Sequence, residues 1–257
     1  MRRRVLLVGL AIWSLTPLAL LAVVSVAGGW RFPTLLGDDP GLAAWRSLGG
    51  GALGHATSTS LALGIGTGVG AAAVGLLAGR ALARERGGPR TLGLIFAFLP
   101  VATPPLLLGI GLQFTFLRLG LGGTAAGVWL AHLVPAIGYT TLYFVAVFTS
   151  WDFGIERAAR QLGATRRQTL VRVIAPLLRR PLAEAALLGF LVSWAQVPLT
   201  LLVGQGRVRS LTIEVLSLVQ AGQDGLAAAG ALVLLLPPLL LIALATWGVR
   251  EAEVVVA

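Results

Sequence analysis

Four polar side chains sit inside long apolar stretches of this chain: Gln113, His132, Ser193 and Gln196. An amide, an imidazole or a hydroxyl at such depth either bonds a neighbouring helix or lines a path for a polar solute. Nothing around them suits covalent chemistry. There is no cysteine, hence no disulfide, thiolate metal site or thiol nucleophile. All twenty basic residues are arginine, so there is no lysine for a Schiff base or for a phosphate loop ending in Gly-Lys-Ser/Thr. The two histidines, His55 and His132, lie in separate segments, and paired carboxylates are lacking inside the apolar stretches. The residues therefore predict no catalytic site, no metal site and no cofactor of the chain's own.

The densest polar chemistry is elsewhere, in Ile155 to Pro176, IERAARQLGATRRQTLVRVIAP. Seven arginines fall between Arg157 and Arg180. Asp152 is placed to cap a helix from about Phe153. Ile155, Ala158, Ala159 and Leu162 recur at i, i+3, i+4 and i+7, one helical face, with Arg157, Arg160 and Gln161 opposite. Gly163 supplies a left-handed stop. Thr165 and Gln168 form a capping box for a second helix, whose apolar face is Leu170, Val173, Ile174 and Leu177 and which Pro176 kinks or ends. Two short helices with small residues on one face suit docking in a groove of another protein. The other use of such a pattern is a helix lying on the lipid surface.

The elements that carry these residues are set by composition. The chain has 257 residues, 56% hydrophobic and 12% charged, with mean hydropathy +0.88. Soluble domains carry about 45–50% apolar and about 25% charged residues, so this is a membrane protein. Six apolar runs have the length of spans: residues 5–28, 58–77, 92–116, 125–149, 182–203 and 226–249. The first is longer than a signal-peptide core and reads as an uncleaved span. The second carries Gly64, Gly66, Gly68 and Gly70, a spacing that permits close helix contact. The third holds Pro100, Pro104 and Pro105, which predicts a kink facing the bundle interior. Trp30 and Trp45 are expected as interfacial anchors in an outer loop that also has Pro33 and Asp38-Asp39-Pro40. Leu211 to Val219 is expected as a short amphipathic helix on the outer side. With both termini in the cytoplasm, fifteen arginines fall inside and five (Arg31, Arg46, Arg118, Arg207 and Arg209) outside. That bias fixes the expected orientation, and it also accounts for the net charge of +10 without nucleic acid.

The segment from Arg157 to Pro176 resembles the cytoplasmic motif of permease subunits of ATP-binding-cassette importers: Glu-Ala-Ala, three residues, Gly, nine residues, Ile-x-Leu-Pro. Ala158, Ala159, Gly163 and Pro176 match, and Val173 stands for the isoleucine. Arg157 occupies the glutamate position, with Glu156 one residue earlier, and Ala175 occupies the leucine. Arg31-Phe32-Pro33, the run from Gly127 to His132, and Ser193-Trp194 resemble the branch that imports ferric iron, thiamine, polyamines or oxyanions. The resemblance implies an all-α bundle of six transmembrane helices in a bacterial inner membrane, with a coupling loop at 150–181. It implies that a separate cytoplasmic ATPase, which binds ATP and magnesium, docks on Glu156, Arg157, Ala158, Ala159, Gly163, Ala164 and Pro176. It also implies a second permease, read as a paralogue more readily than an identical copy because of Arg157, and an external solute-binding protein. A stand-alone secondary transporter or channel is the rival. It is opposed by the lack of a charged residue deep in any span, Glu184 lying near a membrane face.

Overall fold

The computed structural model describes residues 2–27 and 41–256. Trp30, Pro33, Asp38-Asp39-Pro40 and the Arg31-Phe32-Pro33 run lie outside the described residues. Everything regular in the described residues is helical. In chain order the helices are α1 (Arg2–Val26), α2 (Ala43–Arg46), α3 (Gly51–Arg84), α4 (Gly88–Ala102), α5 (Pro105–Arg118) and α6 (Ala125–Thr149), then α7 (Phe153–Gln161), α8 (Arg166–Thr169), α9 (Ala175–Trp194), α10 (Pro198–Gly204), α11 (Leu211–Gln220) and α12 (Asp224–Val256). Among the described residues α3 and α6 are each long and apolar enough to cross a membrane. The count rises to four if α4 with α5, and α8–α9 with α10, each form one bent span. Shorter apolar stretches occur at Ile12–Val26, Leu211–Gln220 and Asp224–Leu240.

Two compact units divide the chain. One is Leu61–Val208. Its spine is α6, whose Val128, Ala131, Ala136, Phe144 and Phe148 are buried. The glycines of α3 are spent inside this unit. A Cβ on Gly64 would lie 2.7 Å from the Phe190 ring, and one on Gly68 would lie 2.3 Å from the Ala186 carbonyl oxygen, both on α9. On Gly75 and Gly79 it would meet Thr140 at 2.3 Å and Phe144 at 2.5 Å, on α6. So α3 approaches two helices at backbone distance, and the Thr140 hydroxyl donates across to the Ala71 carbonyl at 2.7 Å. In lipid, where apolar burial gives no helix–helix driving force, such close packing and cross-helix bonding hold the helices together.

Two apolar runs expected as single spans are broken in this unit. The third, 92–116, becomes α4 and α5, which meet at 101°. Thr103 precedes Pro104 and takes an extended conformation, because the proline ring disfavours the helical region for its predecessor. Pro105 then opens α5 at a position where its missing N–H is not needed. The fifth run breaks between Trp194 and Pro198, with a bend of 64°. Pro176, by contrast, neither kinks nor ends a helix. A π-helical turn at Leu170–Ile174 joins α8 to α9, and the Ala175 N–H bonds the Leu170 carbonyl. The wider turn places Pro176 in the first turn of α9, where its missing donor is accommodated.

The other unit comprises Met1–Ser60 and Arg209–Ala257. Here α12 packs on α1, α2 and α11. A Cβ on Gly230 would lie 2.5 Å from Val215 of α11 and 3.3 Å from Leu53 of α3. The expected outer helix is α11. Ser210 caps it by accepting from the Ile213 N–H, and the Ser60 hydroxyl accepts the Leu211 N–H at 2.7 Å. Buried Glu214 pairs with Arg209 at 3.3 Å. The Trp45 indole donates to the Ser25 hydroxyl at 3.1 Å.

Candidate functional site

The arginine-rich loop is built from two helix termini and an anchor. Asp152 accepts the Gly154 N–H at 2.7 Å and starts α7. At the other end Gly163 adopts φ +86°. Its N–H bonds the Arg160 carbonyl and the Ala164 N–H bonds the Ala159 carbonyl, the paired bonds of a Schellman stop. Thr165 and Gln168 complete the capping box, with the Thr165 N–H donating to Gln168 at 2.8 Å and the Gln168 N–H to Thr165 at 3.2 Å. The turn between α7 and α8 is thus held by four local bonds.

The anchor is Glu156. It is only 4% exposed and points at the end of α3. Its carboxylate accepts two bonds from Arg80, at 2.6 and 2.9 Å, and one from the Trp151 indole at 3.3 Å. Arg84 adds charge at 3.7 Å. The two guanidinium groups also cover aromatic rings, Arg80 over Phe148 at 5.7 Å and Arg84 over Phe153 at 4.7 Å. Both Arg80 bonds come from one guanidinium nitrogen, Nη2, which bridges the two carboxylate oxygens in a short, charge-assisted contact. α7 is therefore bolted to α3 by its inner face.

That assigns the faces of α7. Glu156 faces inward, onto the end of α3. Arg157, one residue and about 100° further round, is exposed. So are Ile155, Ala158 and Leu162, the last 89% exposed, while Ala159 is half-buried. The apolar stripe read from the sequence faces outward, not onto the chain's own core. Ala164 is spent in the helix stop and Pro176 lies in α9, beyond the π turn.

The four polar residues of the apolar runs separate. His132 is buried with both ring nitrogens bonded, Nδ1 to Ser193 at 2.8 Å and Nε2 to Thr200 at 2.9 Å. The Thr200 hydroxyl donates to the Gln196 carbonyl at 2.8 Å, so its oxygen accepts from Nε2–H. Nδ1 is then left to accept from the Ser193 hydroxyl. This ring joins α6 to both arms of the α9–α10 break. Gln196 lies at that break and lines a cavity of about 210 Å³ with Thr103, Pro105, Pro135 and Tyr139. The cavity therefore touches the α4–α5 break as well. Gln113 is half-buried on α5 and takes no part in the His132 network. Thr200, Arg80 and Trp151 were not singled out by the sequence. Only position could have found them: Thr200 one turn past Gln196, Arg80 and Trp151 at the ends of apolar runs.

His132→Ala is expected to weaken the fold by about 2 kcal/mol, since it leaves the buried Ser193 hydroxyl without its acceptor and Thr200 without its donor. Thermal unfolding of the solubilised chain measures it. Unchanged unfolding together with lost transport would instead assign His132 to the solute path.

Among the described residues no group of three or more His, Asp or Glu could hold a metal ion. Residues 71–251 match the family described as binding-protein-dependent transport system inner membrane component. The chain belongs to this family of membrane permease components. It is 33% identical over 150 residues, 58% of its length, to the inner membrane ABC transporter permease protein YnjC of Escherichia coli (strain K12). It is 26% identical over 142 residues to the spermidine/putrescine transport system permease protein PotC of Haemophilus influenzae. The matches cover 29% of the former and 53% of the latter, so the permease spans about half or less of the curated relatives it matches. Its fold is similar to a chain of a bacterial ABC transporter involved in the import of the acidic polysaccharide alginate, with TM-score 0.71 and 18% identity over 95% of this chain and 94% of that one. A second solved structure, of a bacterial alginate ABC transporter in complex with a pentasaccharide-bound periplasmic protein, gives TM-score 0.64 at 15% identity. These likenesses extend to an all-helical permease fold of the importer type.

Proposed function

We propose that this permease forms half of the translocation path of an ATP-driven importer for a small polar solute, and that α7 is its docking element for a cytoplasmic ATPase. The observation that carries the reading is the construction of α7. It is stopped and started by defined caps, fixed to α3 through buried Glu156, and leaves Arg157, Ala158 and Leu162 outward. A short, stiff element of this kind transmits displacement to the spans, whereas a floppy linker would absorb it. ATP and its magnesium ion belong to the ATPase. An external binding protein supplies the solute on the side of the five outer arginines, and both termini lie in the cytoplasm. A second permease completes the path. The cavity where the two helix breaks meet, lined by Gln196, Thr103 and Tyr139, is the assigned passage. Its wall is mostly apolar and carries no charge, which suits passage rather than tight binding. Glu184 takes the Tyr143 hydroxyl as a hydrogen-bond donor outside this cavity, which gives it no part in ion coupling there.

The reading is tested by reconstituting the permease with its ATPase, second permease and binding protein. Uptake is expected to need ATP and to ignore an imposed ion gradient. Arg157→Glu is expected to cut uptake about tenfold or more by placing a carboxylate against a surface matched to a guanidinium. Gradient-driven uptake by the chain alone would overturn the importer reading.

A further inference from the structure

A second cavity lies where the arginine-rich loop meets α3. It measures about 490 Å³ and has a two-part lining. Leu76 and Leu77 of α3, Leu170 and Ile174 of the π turn, and Leu178 of α9 give an aliphatic wall. Arg80, Arg160 and Arg166 give a cationic mouth. Arg80 is neutralised by Glu156. Arg160 and Arg166 have no carboxylate partner among the described residues. Two unpaired guanidinium groups beside an open apolar wall present a defined chemistry. They match an anion esterified to a hydrocarbon chain, and neither a free anion nor an alkane satisfies both parts.

We propose that this cavity binds one anionic phospholipid, with its phosphate between Arg160 and Arg166 and its acyl chains along Leu76, Leu77 and Leu170. The placement agrees with depth. Leu76 and Leu77 end the apolar run of α3, and Arg80 follows within one turn, so the arginines sit at the level of headgroups. Arginine is suited to the role because its planar fork meets two phosphate oxygens at once. Both arms of the capped turn reach the cavity, Arg160 from α7 and Arg166 from α8. A bound lipid therefore ties the loop to the membrane surface at a point separate from the outward face of α7. The inference needs only that the chain lies in a bilayer, and it stands or falls apart from the transport reading.

The test uses the full chain in nanodiscs of phosphatidylcholine with a minority of phosphatidylglycerol. Native mass spectrometry after gentle release counts the lipid retained. One phosphatidylglycerol is expected to stay with the protein. Arg160→Gln/Arg166→Gln is expected to reduce its retention about twenty-five-fold, near fivefold for each charge removed at a lipid surface. Arg160→Lys/Arg166→Lys should keep most of it. Arg172→Gln/Arg179→Gln, which removes the same charge from the same segment outside the cavity, should keep all of it. Equal loss in the lysine and glutamine variants, or in the control pair, overturns the proposal. So does equal retention of phosphatidylcholine. Displacement of the lipid by millimolar inorganic phosphate would identify a free-phosphate site instead.

Discussion

Gly163→Val is expected to abolish coupled uptake, by tenfold or more, in a chain that still inserts and still assembles with its partners. The position has φ +86°, and a Cβ there would meet nothing within 4 Å. The penalty is therefore purely conformational. A β-branched residue in the left-handed region costs about 2 kcal/mol, and at this site the strain can be relieved only by undoing the paired bonds to Arg160 and Ala159. Without them α7 and the helix from Arg166 no longer hold a fixed angle. ATP hydrolysis by the assembled complex should persist while transport per ATP falls. Gly163→Asn, which tolerates the same backbone, should retain most uptake. Full uptake by the valine variant would remove the turn from the coupling route.

Breaking the Glu156–Arg80 bolt is the other large effect. Glu156→Gln leaves Arg80 without its counterpart, at about 2–3 kcal/mol, somewhat below the fully buried case because Arg80 keeps 23% side-chain exposure, and Arg80→Gln leaves buried Glu156 with Arg84 alone, at 3.7 Å. Each is expected to let α7 move independently of α3 and to lower transport per ATP severalfold. If the two residues act as a unit, the double variant should be no worse than either single one, a coupling that a double-mutant cycle reads directly. Additive losses would show that Glu156 and Arg80 work through different contacts. A glutamate variant that transports normally would show that the caps alone fix the loop.

The local design of the loop was legible because its signals are local. Asp152, Gly163, Thr165 and Gln168 each act within four residues, and each takes the capping role its type and spacing indicate. The helical class followed from apolar run lengths. What the sequence did not display depends on long separations. Arg80 meets Glu156 across 76 positions, and His132 meets Thr200 across 68. A periodic apolar stripe says that α7 has two faces, but not which one the protein keeps. The stripe of Ile155, Ala158 and Leu162 is turned outward because the inner contact is ionic and aromatic. The prolines of the third apolar run signalled a bend, but its 101° arises from Thr103 being forced extended before two successive prolines. The glycines of α3 likewise became readable only when their partners on α6 and α9 were known.

The π turn at Leu170–Ile174 has a further consequence, one of phase. A π turn holds one residue more than an α turn, so it acts as an insertion already accommodated within a continuous helix. Removing a single residue there would restore regular winding and rotate everything on the loop side by about 100° relative to α9. Glu156 would then face away from Arg80, although every cap and every motif residue was still present. The distance in sequence from Gly163 to Pro176 is in this sense an angular setting. Substitutions along that stretch are read as chemistry, but a deletion would be read as a rotation of the whole lever.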